Sequence, residues 1–294
     1  MSWMQLRFDA EPSSAPALEA ALEGCGSVAV TMEDNADQPL YEPPPGETPI
    51  WQHTRVTGLF AADTDVDALL AQLRALLGDD LPPHRSEILE DRDWIREWMD
   101  SYHPLQCGER LWICPSWREP VDPQAVNLLL DPGLAFGTGT HPTTWLCLQW
   151  LDGQSLDGLT VIDYGCGSGI LGIAALLLGA SKVIAVDNDP QALRATRDNA
   201  QRNGIEDSRI DCLLPEHIPA DLSGDVLVAN ILAGPLLSLA PQLASYLPAG
   251  APLCLSGILH SQVDELSNCY RQWFDHIEVE QREDWVRINA TRQR

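Results

Sequence analysis

Seven consecutive residues, Asp163-Tyr-Gly-Cys-Gly-Ser-Gly169, are followed 22 positions after their first glycine by a second acid, Asp187. Ahead of them Leu159-Thr-Val-Ile162 is a short apolar run rich in β-branched residues. Behind them Ile170 to Leu178 reads as an apolar helix, so the glycines occupy a strand-to-helix turn. Lacking Cβ atoms, they let backbone come close to a ligand. A second strand over Lys182 to Val186 delivers Asp187 at its carboxyl end, where a carboxylate can accept the hydroxyl hydrogens of a ribose. Strand, glycine turn, helix, strand and acid together describe a βαβ pocket for a nucleoside.

Two cofactor classes use that layout. Gly167, Gly169 and Gly172 also satisfy the dinucleotide fingerprint, so an NAD-dependent oxidoreductase stays open as an alternative. Asp163 separates the two. A pyrophosphate seated on the helix N-terminus would be repelled by a carboxylate two residues before the first glycine. The cationic sulfonium and ammonium of S-adenosyl-L-methionine would be attracted. Asp163-x-Gly-x-Gly-x-Gly resembles motif I of the class I methyltransferases, and S-adenosyl-L-methionine is the cofactor it implies.

Two further stretches offer chemistry. Asp225-Val-Leu-Val-Ala-Asn230 reads as another strand, bringing Asn230 to the edge that carries the glycine turn and Asp187. There its side-chain oxygen can accept a hydrogen bond from an incoming amine and aim the nitrogen lone pair at a methyl carbon. Capping a helix that begins near Pro235 is an equally open reading. Asp131 to Thr144 holds three glycines and four threonines and leads into an apolar helix, Trp145 to Trp150. Such a loop can close over a cofactor, with Thr144 as a hydrogen-bonding group and Phe136 as an apolar wall. His141 is placed to act as a base, although a His before Pro at a helix entrance is more often structural.

Composition bounds the rest. The 294 residues have room for two domains. No apolar stretch reaches a spanning length, and Met1-Ser-Trp-Met-Gln lacks the features of a signal peptide, so a cytoplasmic protein is expected. Eight scattered cysteines without a Cys-x-x-Cys pair or clustered His ligands read as reduced thiols, with no metal site expected. A net charge of −25 argues against a sequence-independent grip on nucleic acid. Solubility and attraction of a basic partner are both open as its purpose.

The elements that must position these residues fall into two groups. Residues 1–90 follow a β-α-β-β-α-β pattern, with strands from Trp3, Ser27, Thr54 and His84 and helices Ala15 to Leu22 and Val66 to Leu77. That pattern predicts a ferredoxin-like α+β domain. A loop from Gln38 to Trp51, with five prolines, reads as an exposed excursion. Residues 91–102 read as a linker helix with Trp94 and Trp98 on one face, packing rather than clamping substrate. Residues 103–294 form the catalytic domain, an α/β doubly wound Rossmann-like sheet with an antiparallel pair, Ile277 to Gln281 and Trp285 to Ala290, at its end.

Taken together these residues resemble the methyltransferases that modify the eleventh protein of the large ribosomal subunit, the PrmA type. The resemblance spans nearly the whole chain. It rests on Asp93-Trp94 with Trp98-Met-Asp100, on Arg110-Leu-Trp-Ile-Cys-Pro-Ser-Trp117, and on Gly133-Leu-Ala-Phe-Gly-Thr-Gly-Thr-His-Pro-Thr-Thr144. The Asp163 glycine motif and Asn230-Ile-Leu-Ala-Gly-Pro-Leu236 complete it. It implies that Thr144, Gly165, Asp187 and Asn230 contact S-adenosyl-L-methionine, that the N-terminal domain recognises the ribosomal protein, and that the α-amine and lysine side chains are trimethylated. A related enzyme acting on another protein or a small-molecule amine is the nearest alternative.

Overall fold

The computed structural model describes residues 2–36, 38, 49–89, 102–131 and 139–294. The linker helix with Trp94 and Trp98, most of the proline-rich loop, and Phe136 lie outside them. The chain divides into two compact units, Met1–Met99 and Asp100–Arg294.

The first unit runs β1 (Trp3–Ala10), α1 (Ala15–Gly24), β2 (Ala29–Asp34), β3 (Thr54–Ala61), α2 (Val66–Leu77) and β4 (His84–Leu89). Alternation along β1 turns Met4, Leu6 and Phe8 to one face, where they share a core with Val56, Phe60, Leu18 and Leu22 of α1, and Leu69 and Leu73 of α2. Asp65 caps α2 by accepting from Asp67 N and Ala68 N. The strands lie in the order β2-β3-β1-β4 with every neighbour antiparallel, the ferredoxin-like arrangement.

The second unit opens with a small sheet of β5 (Leu105–Gln106), β6 (Leu111–Cys114) and β7 (Val126–Leu129). Helices and strands then alternate: α3 (Pro142–Asp152), β8 (Thr160–Tyr164), α4 (Ile170–Leu177), β9 (Lys182–Val186), α5 (Pro190–Arg202), β10 (Ile210–Leu213) and β11 (Val226–Asn230). The chain continues through α6 (Ala233–Ser245), β12 (Pro252–Leu259), α7 (Val263–Tyr270), β13 (Phe274–Arg282) and β14 (Trp285–Arg292). α7 and β5 have no counterpart in the sequence reading.

The seven-stranded sheet has the order β10-β9-β8-β11-β12-β14-β13, parallel through β12 and antiparallel thereafter. The chain moves outward from β8 through β9 to β10, then returns to the other side of β8 with β11. That reversal makes the carboxyl edge of β8 a topological switch point, where ligands of such sheets lie. Both faces are covered, so the central strands are apolar on both sides. Val161, Val183 and Val228 meet residues of α3, α4 and α5 on one face. Ile162, Leu227 and Leu253 meet α6 and α7 on the other.

One buried cation ties α3 to the antiparallel end of the sheet. Arg287 of β14 donates to Leu146 O of α3 at 3.0 Å, to Glu280 Oε2 at 2.6 Å and to Asn289 Oδ1 at 3.3 Å. Arg287 is 7% exposed, whereas the Glu280 side chain is 43% exposed, so the bond to α3 contributes more than the ion pair. Arg287→Ala should therefore lower unfolding free energy by about 2 kcal/mol, the scale of a lost charge-assisted hydrogen bond, while Glu280→Gln costs much less. Urea unfolding of both variants checks this, and equal losses would assign the effect to the ion pair.

Candidate active site

Strand register brings the site residues to one level. Tyr164 is paired with Val186 across β8 and β9, and Asp163 with Val228 across β8 and β11. Gly165 follows Tyr164, Asp187 follows Val186, and Asn230 stands two residues beyond Val228. All three consequently emerge side by side at the switch point.

The glycine turn is made by left-handed backbone at Gly165, Gly167 and Gly169, with φ of 78°, 54° and 79°. Gly165 N and Cys166 N donate to Val186 O at 2.7 and 3.0 Å, which binds the turn to β9. Asp187 joins it: Oδ2 accepts from Gly167 N at 2.9 Å and Oδ1 from Asp189 N at 3.0 Å. Two residues of α5 that sequence reading passed over hold the turn from below. Thr196 Oγ1 donates to Gly167 O at 3.1 Å, and Asn199 Nδ2 donates to Ser168 O at 2.8 Å. They are polar interruptions in the buried stripe of an amphipathic helix, and that pattern was the available signal.

Asp163 has a task that sequence reading did not foresee. Its carboxylate is fully buried, and Oδ2 accepts the N–H of Gly172 in the first turn of α4 at 2.8 Å. Gly169, the N-cap of α4, has no side chain with which to cap, so the preceding strand supplies the capping carboxylate. Burial pushes the Asp163 carboxyl up to about 7, against the opposing bond from Gly172 and with a further push from the Asp187 charge. Oδ1 is buried with no hydrogen-bond partner among the described residues.

Asn230 and Thr144, 86 positions apart, meet at the end of β11: Asn230 Nδ2 donates to Thr144 Oγ1 at 3.2 Å. Thr144 is fully buried in the first turn of α3. The N-cap of that helix is His141, whose Nδ1 accepts from Thr143 N at 3.3 Å and lies 2.7 Å from Thr143 Oγ1. Burial lowers the His141 pKa, which keeps the ring neutral, as an accepting nitrogen must be. Its ring stands edge-on to Trp285, 4.8 Å between centroids. His141 is thus engaged as a cap, and the base reading loses its Nδ1. Asn230 does not cap α6, whose N-cap is Leu232. Instead, Asn230 Oδ1 is a buried acceptor with no donor among the described residues. Phe136, assigned from sequence to the wall of this site, lies outside the described residues. A cavity of about 550 Å³ lined by Gln106, Glu109, Trp145, Gln149 and Asp152 contains none of the predicted site residues.

Residues 2–293 match the sequence model of a family described as ribosomal protein L11 methyltransferase (PrmA). The chain belongs to that family. Membership in the PrmA family leaves the dinucleotide reading of the glycine turn without support. Among similar curated proteins, the ribosomal protein L11 methyltransferase of Marinobacter nauticus is 57% identical over 99% of both chains. That of Cellvibrio japonicus is 54% identical over the full length of both. Among solved structures, a ribosomal protein L11 methylase from Lactobacillus delbrueckii subsp. bulgaricus superposes with a TM-score of 0.59 at 35% identity. The match covers 66% of this chain and all of that one.

The raised Asp163 pKa makes a signed prediction. Its folded value, about 7, exceeds the ordinary carboxylate value, so the folded protein holds this proton more tightly than the unfolded chain. The resulting stability is present in full below about pH 4 and is lost as pH rises through about 7. Asp163→Asn removes the titration. Stability of the variant relative to the parent should rise between those limits and level off above them, as read by urea unfolding across that range. A pH-independent difference would mean that Asp163 is ionised throughout.

Proposed function

We propose that the protein is an S-adenosyl-L-methionine-dependent N-methyltransferase that methylates ribosomal protein L11. Its relatives are named ribosomal protein L11 methyltransferase, and within the site the reading is supported by Asn230 Oδ1, a buried acceptor level with the glycine turn that has no donor among the described residues. Within this reading the N-terminal α-amine and lysine ε-amines are the acceptors, carried to the trimethyl state. The cytoplasm is the expected compartment.

The residues present fit the cofactor. Asp187 has lone pairs left on both oxygens after accepting one backbone N–H each, enough for two ribose hydroxyls. Gly165 and Gly167 offer close backbone and Thr144 a hydroxyl, while Asp163 acts from beneath, holding the turn through Gly172 rather than facing the ligand. When bound, S-adenosyl-L-methionine supplies an electrophilic methyl carbon on a sulfonium.

The chain must then deliver a neutral nitrogen in line with that carbon. At neutral pH a lysine amine of pKa ~10.4 costs roughly 4.6 kcal/mol to deprotonate, and an α-amine near ~7.7 about 1 kcal/mol. Desolvation beside a cation lowers that cost without a strong base. Asn230 Oδ1 accepts one N–H of the amine and so turns its lone pair toward the donor, while Nδ2, held by Thr144, keeps the amide from rotating. Water takes the proton. No aromatic follows Asn230, since positions 231 to 233 are Ile, Leu and Ala. That leaves exposed Leu232 as an aliphatic lip for an amine that must turn between successive methylations.

Residues 1–90 are assigned to substrate recognition, 91–102 to the connection and 103–294 to catalysis. The charge of −25 suits a basic protein partner better than nucleic acid. Mass spectrometry of purified L11 after incubation with enzyme and S-adenosyl-L-methionine should show additions in multiples of one methyl, and an unchanged mass would remove the substrate assignment. Asn230→Ala should lower kcat about a hundredfold, the scale of a misaligned nucleophile, while S-adenosylhomocysteine affinity changes far less. Equal losses in both would make Asn230 a cofactor contact only.

A further inference from the structure

We infer that Ile231 is a positioning residue that transmits the placement of the glycine turn to Asn230; the inference rests on the role assigned above to Asn230. Two glycines in left-handed conformations lie against this one residue. A Cβ on Gly165, φ 78°, would stand 2.2 Å from Ile231 Cγ2, so the γ2 methyl fills the space that a side chain in the turn would take. A Cβ on Gly257, φ 84°, would stand 2.3 Å from Ile231 O and 2.7 Å from its carbonyl carbon. The side chain of Ile231 therefore abuts the cofactor turn, and its peptide abuts the next strand.

That strand is itself held. Gly257 lies where the pairing of β12 with β14 shifts register between Leu255 and Ile258. A bulge of this kind re-aims backbone beside a functional edge. Its neighbour Ser256, in register with Asn230, is fully buried and donates from Oγ to Val286 O of β14 at 2.9 Å. The backbone of Ile231, directly after Asn230, is thus packed against β12 while its side chain is packed against Gly165. Because close-packed groups shift together, a displacement of the turn is passed to the Asn230 amide. Alignment errors of an ångström at a nucleophile's anchor are costly in rate and cheap in binding.

The contact depends on where the side chain branches, which separates positioning from simple burial. Ile231→Val keeps the γ2 methyl. Ile231→Leu keeps volume and hydrophobicity but removes the branch facing Gly165, and Ile231→Ala removes it without added bulk, serving in place of the leucine variant should that fail to fold. The first readout needs neither ligand nor activity: the side-chain amide pair of Asn230 in proton–nitrogen spectra, identified by its loss in Asn230→Ala. The pair should move in Ile231→Leu and stay in place in Ile231→Val. In methyl transfer to L11, Ile231→Leu should lose about tenfold in kcat with KM for the donor within about twofold, and Ile231→Val should remain within about twofold of the parent. An Asn230 amide unmoved in every variant, or a kcat loss that tracks loss of unfolding midpoint across the series, overturns the inference. If the parent methylates no L11, the proposed substrate fails, while the spectra still decide the role of Ile231.

Discussion

A helix that must begin with glycine cannot cap itself, and the hydrogen bond from Gly172 N–H to the buried Asp163 carboxylate answers that constraint. The turn requires left-handed backbone at three alternate residues, and the last of them is the N-cap of α4. Close backbone approach and side-chain capping exclude each other at one position. Here the two are separated in sequence and reunited in space, with the strand before the turn supplying the cap after it. The acid–x–Gly–x–Gly–x–Gly spacing then has a mechanical reason beside any electrostatic one.

From that anchored turn the site is assembled by neighbours of different kinds. β9 brings Asp187 through regular parallel pairing, and the acid closes back onto Gly167. α5 supports the turn with Thr196 and Asn199, buried polar side chains that are each given a backbone partner. On the far side Asn230 reaches Thr144, which stands on a helix capped by His141 and tied to β14 through Arg287. The acceptor amide is therefore braced by a helix preceding the sheet in the chain and by strands following it.

Much of this was legible in sequence because it is local or periodic. The βαβ unit, Asp187 at its strand end and the helix begun by Asp189 and Pro190 follow from alternation, glycines and capping residues. The ferredoxin-like unit follows from the same period-2 and helical patterns. What resisted reading is non-local. Nothing near Asn230 announces Thr144, and the side-chain direction of Asp163, under α4 rather than toward a ligand, is a rotamer that sequence does not encode on its face. An isolated glycine in a strand marks a bulge as readily as an end, and β12 runs through Gly257 to Leu259. The eight residues of α7 carry few apolar anchors, so periodicity does not mark it.

The antiparallel end of the large sheet bears on the order in which this fold can be made. β14 lies between β12 and β13, although β13 precedes it in the chain. Among the described residues β13 pairs with β14 alone, so its place on the sheet waits for the strand after it to be synthesised. During vectorial synthesis the edge of β12, immediately beside the Gly257 bulge, stays open until β14 has been made. The Asn230 side of the site is thus completed late, by residues remote in sequence from the glycine turn, and a nascent chain holds a formed glycine turn before its Asn230 amide is braced.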